Sequence, residues 1–246
     1  MRFRLLLEYD GSAFSGWQKQ KNAETIQGTL IDAIGSQFSK FGHGRFIDLQ
    51  GAGRTDAGVH AFGQVAHLDC ETRLKPQALK NVINEALPPA INLLKVEPAA
   101  PDFHARHSAK SRQYLYRIGK RRNVFERQYM HVVTHKLDLP RMQAAAGPLL
   151  GMHDFSSFSS DPQKEKAPMV LLQSLELFDE DEALLIRVKA SHFLWSMVRI
   201  LTGTLIEAGA GRLSPEQVRQ ALESYNPKLA SLKAPACGLF LEAVEY

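Results

Sequence analysis

Cysteine is scarce in this chain, and its scarcity argues against disulfide bonds and cysteine-bound metal sites. Only Cys70 and Cys237 occur among the 246 residues, far apart and outside any Cys-x-x-Cys pair. A disulfide framework or a thiolate zinc site requires more cysteines at closer spacing. We therefore expect neither, and we predict two buried free thiols.

Long apolar runs are also missing. No stretch approaches the roughly 20 apolar residues that a membrane-spanning helix requires. Near the N-terminus, Glu8 interrupts the apolar residues too early for a signal peptide. Because 44% of the residues are hydrophobic and 23% are charged, the composition is that of a globular protein. We expect a cytoplasmic protein without a membrane segment.

Negative charge is nearly absent from one segment of the chain. The formal net charge of +4 alone is compatible with a polyanionic partner and is also common in proteins that have none. Within residues 106–127, however, Glu126 is the only acid. The cations of this basic segment are Arg106, Lys110, Arg112, Arg117, Lys120, Arg121, Arg122 and Arg127. Both a polyanion-binding surface and a solvated basic loop remain open.

Hydrophobic periodicity predicts strands and helices that do not alternate as a wound βαβ fold requires. Strands are expected at 2–9, 46–50, 60–69, 91–96, 111–119, 170–178, 184–190 and 238–245. Helices are expected from about Thr25, and at 76–87, 140–150, 193–208 and 214–224. Several strands are adjacent with no room for a crossover helix. The pattern predicts an α+β fold with helices on a mixed, largely antiparallel sheet. The Pro-rich link near residue 100 indicates two halves, 1–98 and 99–246.

The most informative stretch is the loop 51–61, Gly-Ala-Gly-Arg-Thr-Asp-Ala-Gly-Val-His-Ala. It lacks the GxxxxGK[ST] pattern of a phosphate-binding loop, and Asp56 stands where the dinucleotide fingerprint needs its third glycine. Small neighbours would leave the Asp56 carboxylate uncovered. Arg54, two residues away, would point the same way in extended backbone and keep Asp56 ionised. Such a carboxylate can serve as nucleophile or base, whereas a lone Asp-Ala-Gly is more often a turn.

This loop resembles the signature of the TruA family of tRNA pseudouridine synthases, and similar segments recur along the whole chain. They are Tyr9-Asp10-Gly11, Gly16-Trp17-Gln18-Lys19-Gln20, Gly63-Gln64-Val65-Ala66-His67, Phe103-His104-Ala105-Arg106, Arg112-Gln113-Tyr114-Leu115-Tyr116, His153-Asp154-Phe155, Phe193-Leu194, Met197-Val198-Arg199 and Ala234-Pro235-Ala236-Cys237-Gly238-Leu239. Two departures stand out. His107 replaces the usual phenylalanine, and the segment 156–169 differs from the family after His-Asp-Phe. The second departure bears on substrate choice more than on chemistry.

The resemblance implies roles for four residues. Asp56 would be the nucleophile and Arg54 its neighbour in the active site, while Tyr114 would contact the target uracil. Arg199 lies in an apolar stretch, where a buried arginine needs a carboxylate partner, and Asp56 is the partner that the resemblance implies. Without the family, Tyr114 is a packing residue on a core face, and Arg199 is a surface arginine whose stem lies along apolar neighbours.

The implied activity is the isomerisation of uridine to pseudouridine at positions 38, 39 and 40 of the tRNA anticodon stem-loop. The family implies a homodimer acting on tRNA, with two similar halves flanking a central active-site cleft. The half 1–98 would carry the catalytic loop, and the half 99–246 would complete the site. No cofactor, metal or nucleotide is required. Two alternatives stay open, namely a non-catalytic tRNA-binding protein and a synthase acting on ribosomal RNA or other stem-loops.

Several residues are expected to have structural roles only. His104 and His107 have the spacing of a ligand pair but no third ligand, so we predict no metal site. Trp17 and Trp195 are expected to pack in the core rather than stack on bases. Asp10 is expected to stabilise a turn.

Overall fold

The computed structural model describes residues 1–42 and 44–246. Its strands are β1 Arg2–Tyr9, β2 Gly44–Gly51, β3 His60–Thr72, β4 Ile91–Pro98, β5 Ser111–Gly119, β6 His131–Val132, β7 Gly151–Asp154, β8 Met169–Asp179, β9 Ala183–Ala190 and β10 Leu239–Glu245. Its α-helices are α1 Ile26–Phe41, α2 Pro76–Ala86, α3 Leu139–Ala146, α4 Met197–Gly209 and α5 Pro215–Glu223. The chain divides into two compact units, the first formed by 1–110 with 240–246 and the second by 111–239.

The first unit is built on a sheet with the strand order β4-β1-β3-β10, in which β2 also pairs with β3. β1 pairs antiparallel with β3 and β4, β2 pairs antiparallel with β3, and β10 pairs parallel with β3. Every second side chain of β1 is buried, as its alternating sequence predicts. Helix α1 contacts β2 and α2, and α2 contacts β4.

The second unit contains the strands β5-β9-β8-β7, all antiparallel, with the two-residue β6 pairing parallel to β5. Helix α3 contacts α4, α5 and β8. Antiparallel ladders therefore predominate in both units and helices accompany each sheet. The predicted α+β fold with a mixed, largely antiparallel sheet is confirmed.

Helix boundaries follow local capping chemistry, with one instructive exception. Helix α1 begins after Thr25, whose hydroxyl accepts a hydrogen bond from the Gly28 N–H, as predicted. The helix predicted from residue 193 instead begins at Met197, because Ser196 adopts a left-handed conformation with φ 57°. A left-handed residue ends helical hydrogen bonding, so the expected first turn does not form.

Two smaller expectations need adjustment. The helix predicted at 140–150 ends at Ala146 and is followed by a 3-10 turn at Gly147–Leu149. Cys70 is buried, but Cys237 is only half-buried, so the prediction of two buried thiols was wrong for Cys237. Burial raises the pKa of the Cys70 thiol to about 11, so it stays protonated and unreactive at neutral pH. None of the helices described in 1–42 and 44–246 has the length and apolarity that a bilayer crossing requires.

Candidate active site

Asp56 lies in the loop that joins β2 to β3, and this loop is held at almost every residue. The Val59 N–H donates to the Asp56 carbonyl at 3.1 Å and closes a turn in which Gly58 has φ 77°. Only glycine adopts that backbone conformation without strain. The Asp56 residue itself is half-buried. The loop thus presents a carboxylate from a defined backbone.

Two buried side chains anchor the residues on the N-terminal side of Asp56. The Tyr9 hydroxyl lies 2.8 Å from the Thr55 hydroxyl, and Gln64 donates from Nε2 to the Gly53 carbonyl at 2.9 Å. Burial raises the pKa of Tyr9 to about 12, so the phenol remains protonated and able to donate. Neither anchor was singled out from the sequence, although both lie in the family-like segments around Tyr9 and Gln64.

A second segment, residues 10–18, forms a cradle around the loop. The Trp17 N–H donates to the Thr55 carbonyl at 3.0 Å, and the Gly58 N–H donates to the Phe14 carbonyl at 3.3 Å. These bonds fix the backbone on both sides of Asp56. The cradle begins with a turn in which Asp10 accepts from the Ser12 N–H at 2.9 Å, so the predicted role of Asp10 is confirmed.

Close backbone approach explains the glycines of these motifs. A Cβ on Gly11 would lie 2.0 Å from the Val59 carbonyl oxygen, and one on Gly51 would lie 2.5 Å from the Trp17 ring. A larger residue fits at Gly11 only if the Val59 backbone moves, and at Gly51 only if the buried Trp17 ring moves. Trp17 is 2% exposed, so the prediction that it packs in the core is confirmed.

Arg54 is exposed and is oriented by a chain of two glutamines. Its Nε donates to Gln18 Oε1 at 3.1 Å, and Gln18 Nε2 donates in turn to Gln27 Oε1 at 2.7 Å. Gln27 is 8% exposed and donates from Nε2 to the Leu49 carbonyl at 2.8 Å. A buried amide fixed to β2 therefore sets the position of a surface amide, which holds one edge of the guanidinium. We assign Gln18 as a positioning residue for Arg54.

Replacing Gln18 with alanine is expected to lower kcat/KM for RNA modification by about three- to tenfold, because one hydrogen bond at an exposed side chain, of about 1 kcal/mol, is lost. In an Arg54→Met background the same replacement is expected to have no further effect, because methionine keeps much of the stem but has no N–H donor for Gln18. The double-mutant cycle is measured from initial rates of all four proteins.

Gln20→Ala is the matched control, since the Gln20 amide donates to the Ser15 carbonyl, whereas Gln18 accepts from Arg54. It is expected to leave kcat/KM unchanged. Equal losses from Gln18→Ala in both backgrounds would show that Gln18 acts independently of Arg54, and the assignment would be wrong.

The other two predicted site residues belong to the second unit. Tyr114 on β5 is 7% exposed, and its ring makes an edge contact with Phe193 at a centroid distance of 5.1 Å. Arg199 on α4 is half-buried and donates from Nε to the Ala234 carbonyl at 2.8 Å, while the Ala234 N–H donates back to the Arg199 carbonyl at 3.0 Å. Contacts within the second unit thus hold both of these side chains. The predicted pairing of Arg199 with Asp56 stays a prediction.

The basic segment 106–127 carries less uncompensated charge than its sequence indicates. Arg106 and Lys110 belong to the first unit and the remaining cations to the second. Ion pairs join Arg117 to Glu126 at 2.9 Å, Lys120 to Asp179 at 2.7 Å and Arg121 to Glu182 at 2.7 Å. Two of these acids come from the acidic turn 179–182. A role for this segment in RNA binding remains a prediction.

One group of side chains within the described ranges has the spacing of a metal site, namely Asp48, His67 and Asp69. Its hydrogen bonds argue against that use. His67 Nδ1 accepts from the Ala105 N–H at 3.1 Å, which leaves the ring proton on the other nitrogen. Arg2 binds both carboxylate oxygens of Asp69, at 2.8 and 2.6 Å. Asp69 is therefore one partner of an ion pair that joins β1 to β3. His104 Nδ1 likewise accepts from backbone N–H groups.

Comparison with known proteins gives this geometry a context. Residues 6–108 and 145–246 match the model of the family described as tRNA pseudouridine synthase. The chain belongs to this family. Asp56, Arg54 and Arg199 fall inside the matched residues, whereas Tyr114 lies between the two matched ranges. Pseudouridine synthases are isomerases, so the predicted family and enzyme class are confirmed.

Full-length relatives agree with the family match. The chain is 39% identical over 245 residues to tRNA pseudouridine synthase A of Acetivibrio thermocellus, covering 99% of this chain and 98% of the relative. It is 39% identical over 250 residues to the protein of the same name from Ehrlichia chaffeensis, covering 100% of both. The Listeria innocua protein of that name is 38% identical over 250 residues, covering 100% of this chain and 99% of the relative.

Proposed function

We propose that this protein isomerises uridine to pseudouridine at positions 38, 39 and 40 of the tRNA anticodon stem-loop, with Asp56 as the nucleophile. The observation that carries the proposal is a half-buried carboxylate on a loop whose neighbours are fixed by Tyr9, Gln64 and the cradle. Preorganised groups of this kind lower a barrier because they need no rearrangement during reaction. The names of the full-length relatives support tRNA as the substrate.

The reaction breaks the bond between ribose C1′ and uracil N1, turns the base, and joins C1′ to C5. No electrons are gained or lost overall, and the C5 proton is released as N1 gains one. One carboxylate suffices, by adding to the ribose or the base or by removing a sugar proton. Asp56 takes the nucleophilic role in this proposal, and no cofactor or metal enters the reaction.

The remaining residues handle the base and the backbone of the RNA. The target uridine must leave its stack, so an aromatic wall and cations for the phosphates are needed. Tyr114 supplies the wall, and its contact with Phe193 fixes the ring. Arg54 acts next to Asp56, and Arg199 stabilises the Asp56 carboxylate as its ion-pair partner. In this proposal the half 1–98 supplies the catalytic loop, the half 99–246 completes the site, and the enzyme works as a cytoplasmic homodimer.

The experiment that tests this function is tritium release from C5-labelled uridine in an unmodified tRNA transcript, without added cofactor and with a chelator present. We expect release from a transcript with uridines at positions 38, 39 and 40. The matched substrate carries cytidine at those positions and labelled uridine elsewhere, and we expect no release from it. Equal release from both transcripts would contradict the assigned positions. Release from ribosomal RNA but not from tRNA would show that the substrate is ribosomal RNA. Binding of tRNA without release would indicate a non-catalytic protein.

A further inference from the structure

The second unit carries one tryptophan whose position contradicts the prediction that it packs in the core. Trp195 is 53% exposed, although its neighbours Leu194 and Met197 are 6% and 0% exposed. We infer that Trp195 is a stacking platform for an unpaired base of the RNA substrate, with Lys164 placed beside it to meet a phosphate. This inference rests on the proposed function and adds a residue that binds the RNA but takes no part in the reaction.

The backbone of Trp195 is held on both sides by the segment 156–169. Its N–H donates to Glu165 Oε1 at 2.7 Å, and its carbonyl accepts from the Ser160 N–H at 3.0 Å. Glu165 is itself fixed, because Oε1 also accepts from the Ser159 hydroxyl at 2.7 Å. A tryptophan exposed only by chance on a loose loop would not need this clamp. The backbone that carries the indole is therefore held by hydrogen bonds on both sides.

The next residue adds a second, independent observation. Ser196 has φ 57° and ψ 14°, and it is the one non-glycine residue with positive φ among residues 1–42 and 44–246. Left-handed backbone is unfavourable for serine and persists where the surroundings impose it, most often at ligand sites. Here it turns the chain sharply into α4, so that Leu194 and Met197 point inward while the indole of Trp195 faces solvent.

The surroundings of the ring fit a nucleotide. Lys164 Nζ lies 5.8 Å from the centre of the indole ring and is held by Asp161 at 2.6 Å. An aromatic face beside a cation offers a stacking surface for a base and an electrostatic contact for its phosphate. Bases inside a duplex are already stacked, so the platform selects unpaired nucleotides, as in a loop.

The sequence provides a direct optical test, because Trp17 and Trp195 are the only tryptophans and Trp17 is 2% exposed. Stacking of a base on an indole quenches its fluorescence. We expect an unmodified tRNA transcript to quench the emission of the wild-type protein and to leave that of Trp195→Phe nearly unchanged. Equal quenching of the two proteins would overturn the inference.

Affinity and turnover separate stacking from a structural role. Trp195→Ala is expected to weaken tRNA binding by about tenfold, within the range for loss of one stacked base, while the single-turnover rate at saturating enzyme stays unchanged. Trp195→Phe is expected to retain most of the affinity, because a phenyl ring still stacks. Tyr225→Ala, at a residue 58% exposed in the same unit, is the control and is expected to bind as wild type.

The outcomes distinguish this inference from the proposed function. If the wild type releases tritium but Trp195→Ala binds tRNA equally well, the inference is wrong and the function stands. If tRNA quenches Trp195 and no tritium is released, the RNA contact stands and the proposed function fails. A Trp195→Ala protein with altered sedimentation and unchanged RNA affinity would show that the indole serves a protein contact instead, which would also overturn the inference.

Discussion

Asp56→Asn is expected to lower the rate of tritium release by at least about 10⁴-fold, the scale on which removal of a nucleophile acts. An amide has nearly the shape of the carboxylate but neither its charge nor its nucleophilicity. The hydrogen bonds that hold the loop use the backbone of Gly53 and Gly58 and both the hydroxyl and the carbonyl of Thr55, so they survive the change. We therefore expect a thermal midpoint within a few degrees of wild type and retained tRNA binding.

Asp32→Asn is the matched control, since Asp32 is a carboxylate of the first unit whose side chain is 77% exposed. It is expected to leave the rate unchanged. An Asp56→Asn protein that folds, binds tRNA and retains more than about a tenth of the wild-type rate would remove Asp56 from the nucleophilic role, since loss of a nucleophile costs far more.

Gly16→Ala is expected to lower kcat by about 100-fold, because displacing a reactive group by roughly 1 Å has effects of that size. A Cβ at Gly16 would lie 2.6 Å from the Thr55 carbonyl oxygen and 3.1 Å from the Asp56 carbonyl carbon. Gly16 also has φ 87°, which an alanine adopts only with strain. Both effects push the cradle away from the loop. Rates at saturating tRNA, compared with the thermal midpoint, measure the change.

Gly35→Ala is the control, and it is expected to change stability in the opposite direction. Gly35 lies in α1 with no atom within 4 Å of a built Cβ, so alanine is expected to stabilise the protein by about 0.5–1 kcal/mol and to leave kcat unchanged. If Gly16→Ala kept the wild-type kcat, close contact between the cradle and the loop would not be what places Asp56.

The sequence alone singled out the loop 51–61 and predicted most of the strands and helices around it. Alternation in β1 and the four-residue repeat in α1 are local signals, and local hydrogen bonding follows them. The loop 51–61 was identifiable because its glycines, Arg54 and Asp56 are contiguous in the chain.

Features that depend on distant partners were not predictable in the same way. Gln18 and Arg54 are separated by 36 positions, and no periodicity links them. The apolar spacing across 193–206 predicted a helix that runs through Ser196. Periodicity indicates which residues are buried, and it does not reveal the left-handed backbone of Ser196. Trp195, the residue before Ser196, is 53% exposed, so the expectation that it packs in the core was wrong. The pairing of basic residues with the acidic turn 179–182 also required the β5–β9–β8 register.

The parallel pairing of β10 with β3 sets an order of events during synthesis. His60 directly follows the loop that carries Asp56, and it pairs with Phe240, whose ring stacks on it at 4.7 Å. The loop that carries Asp56 is therefore synthesised early. The strand β10, which completes the sheet of the first unit, emerges only after the second unit has been synthesised. A nascent chain that stops within the second unit carries the whole reactive motif on an unfinished sheet.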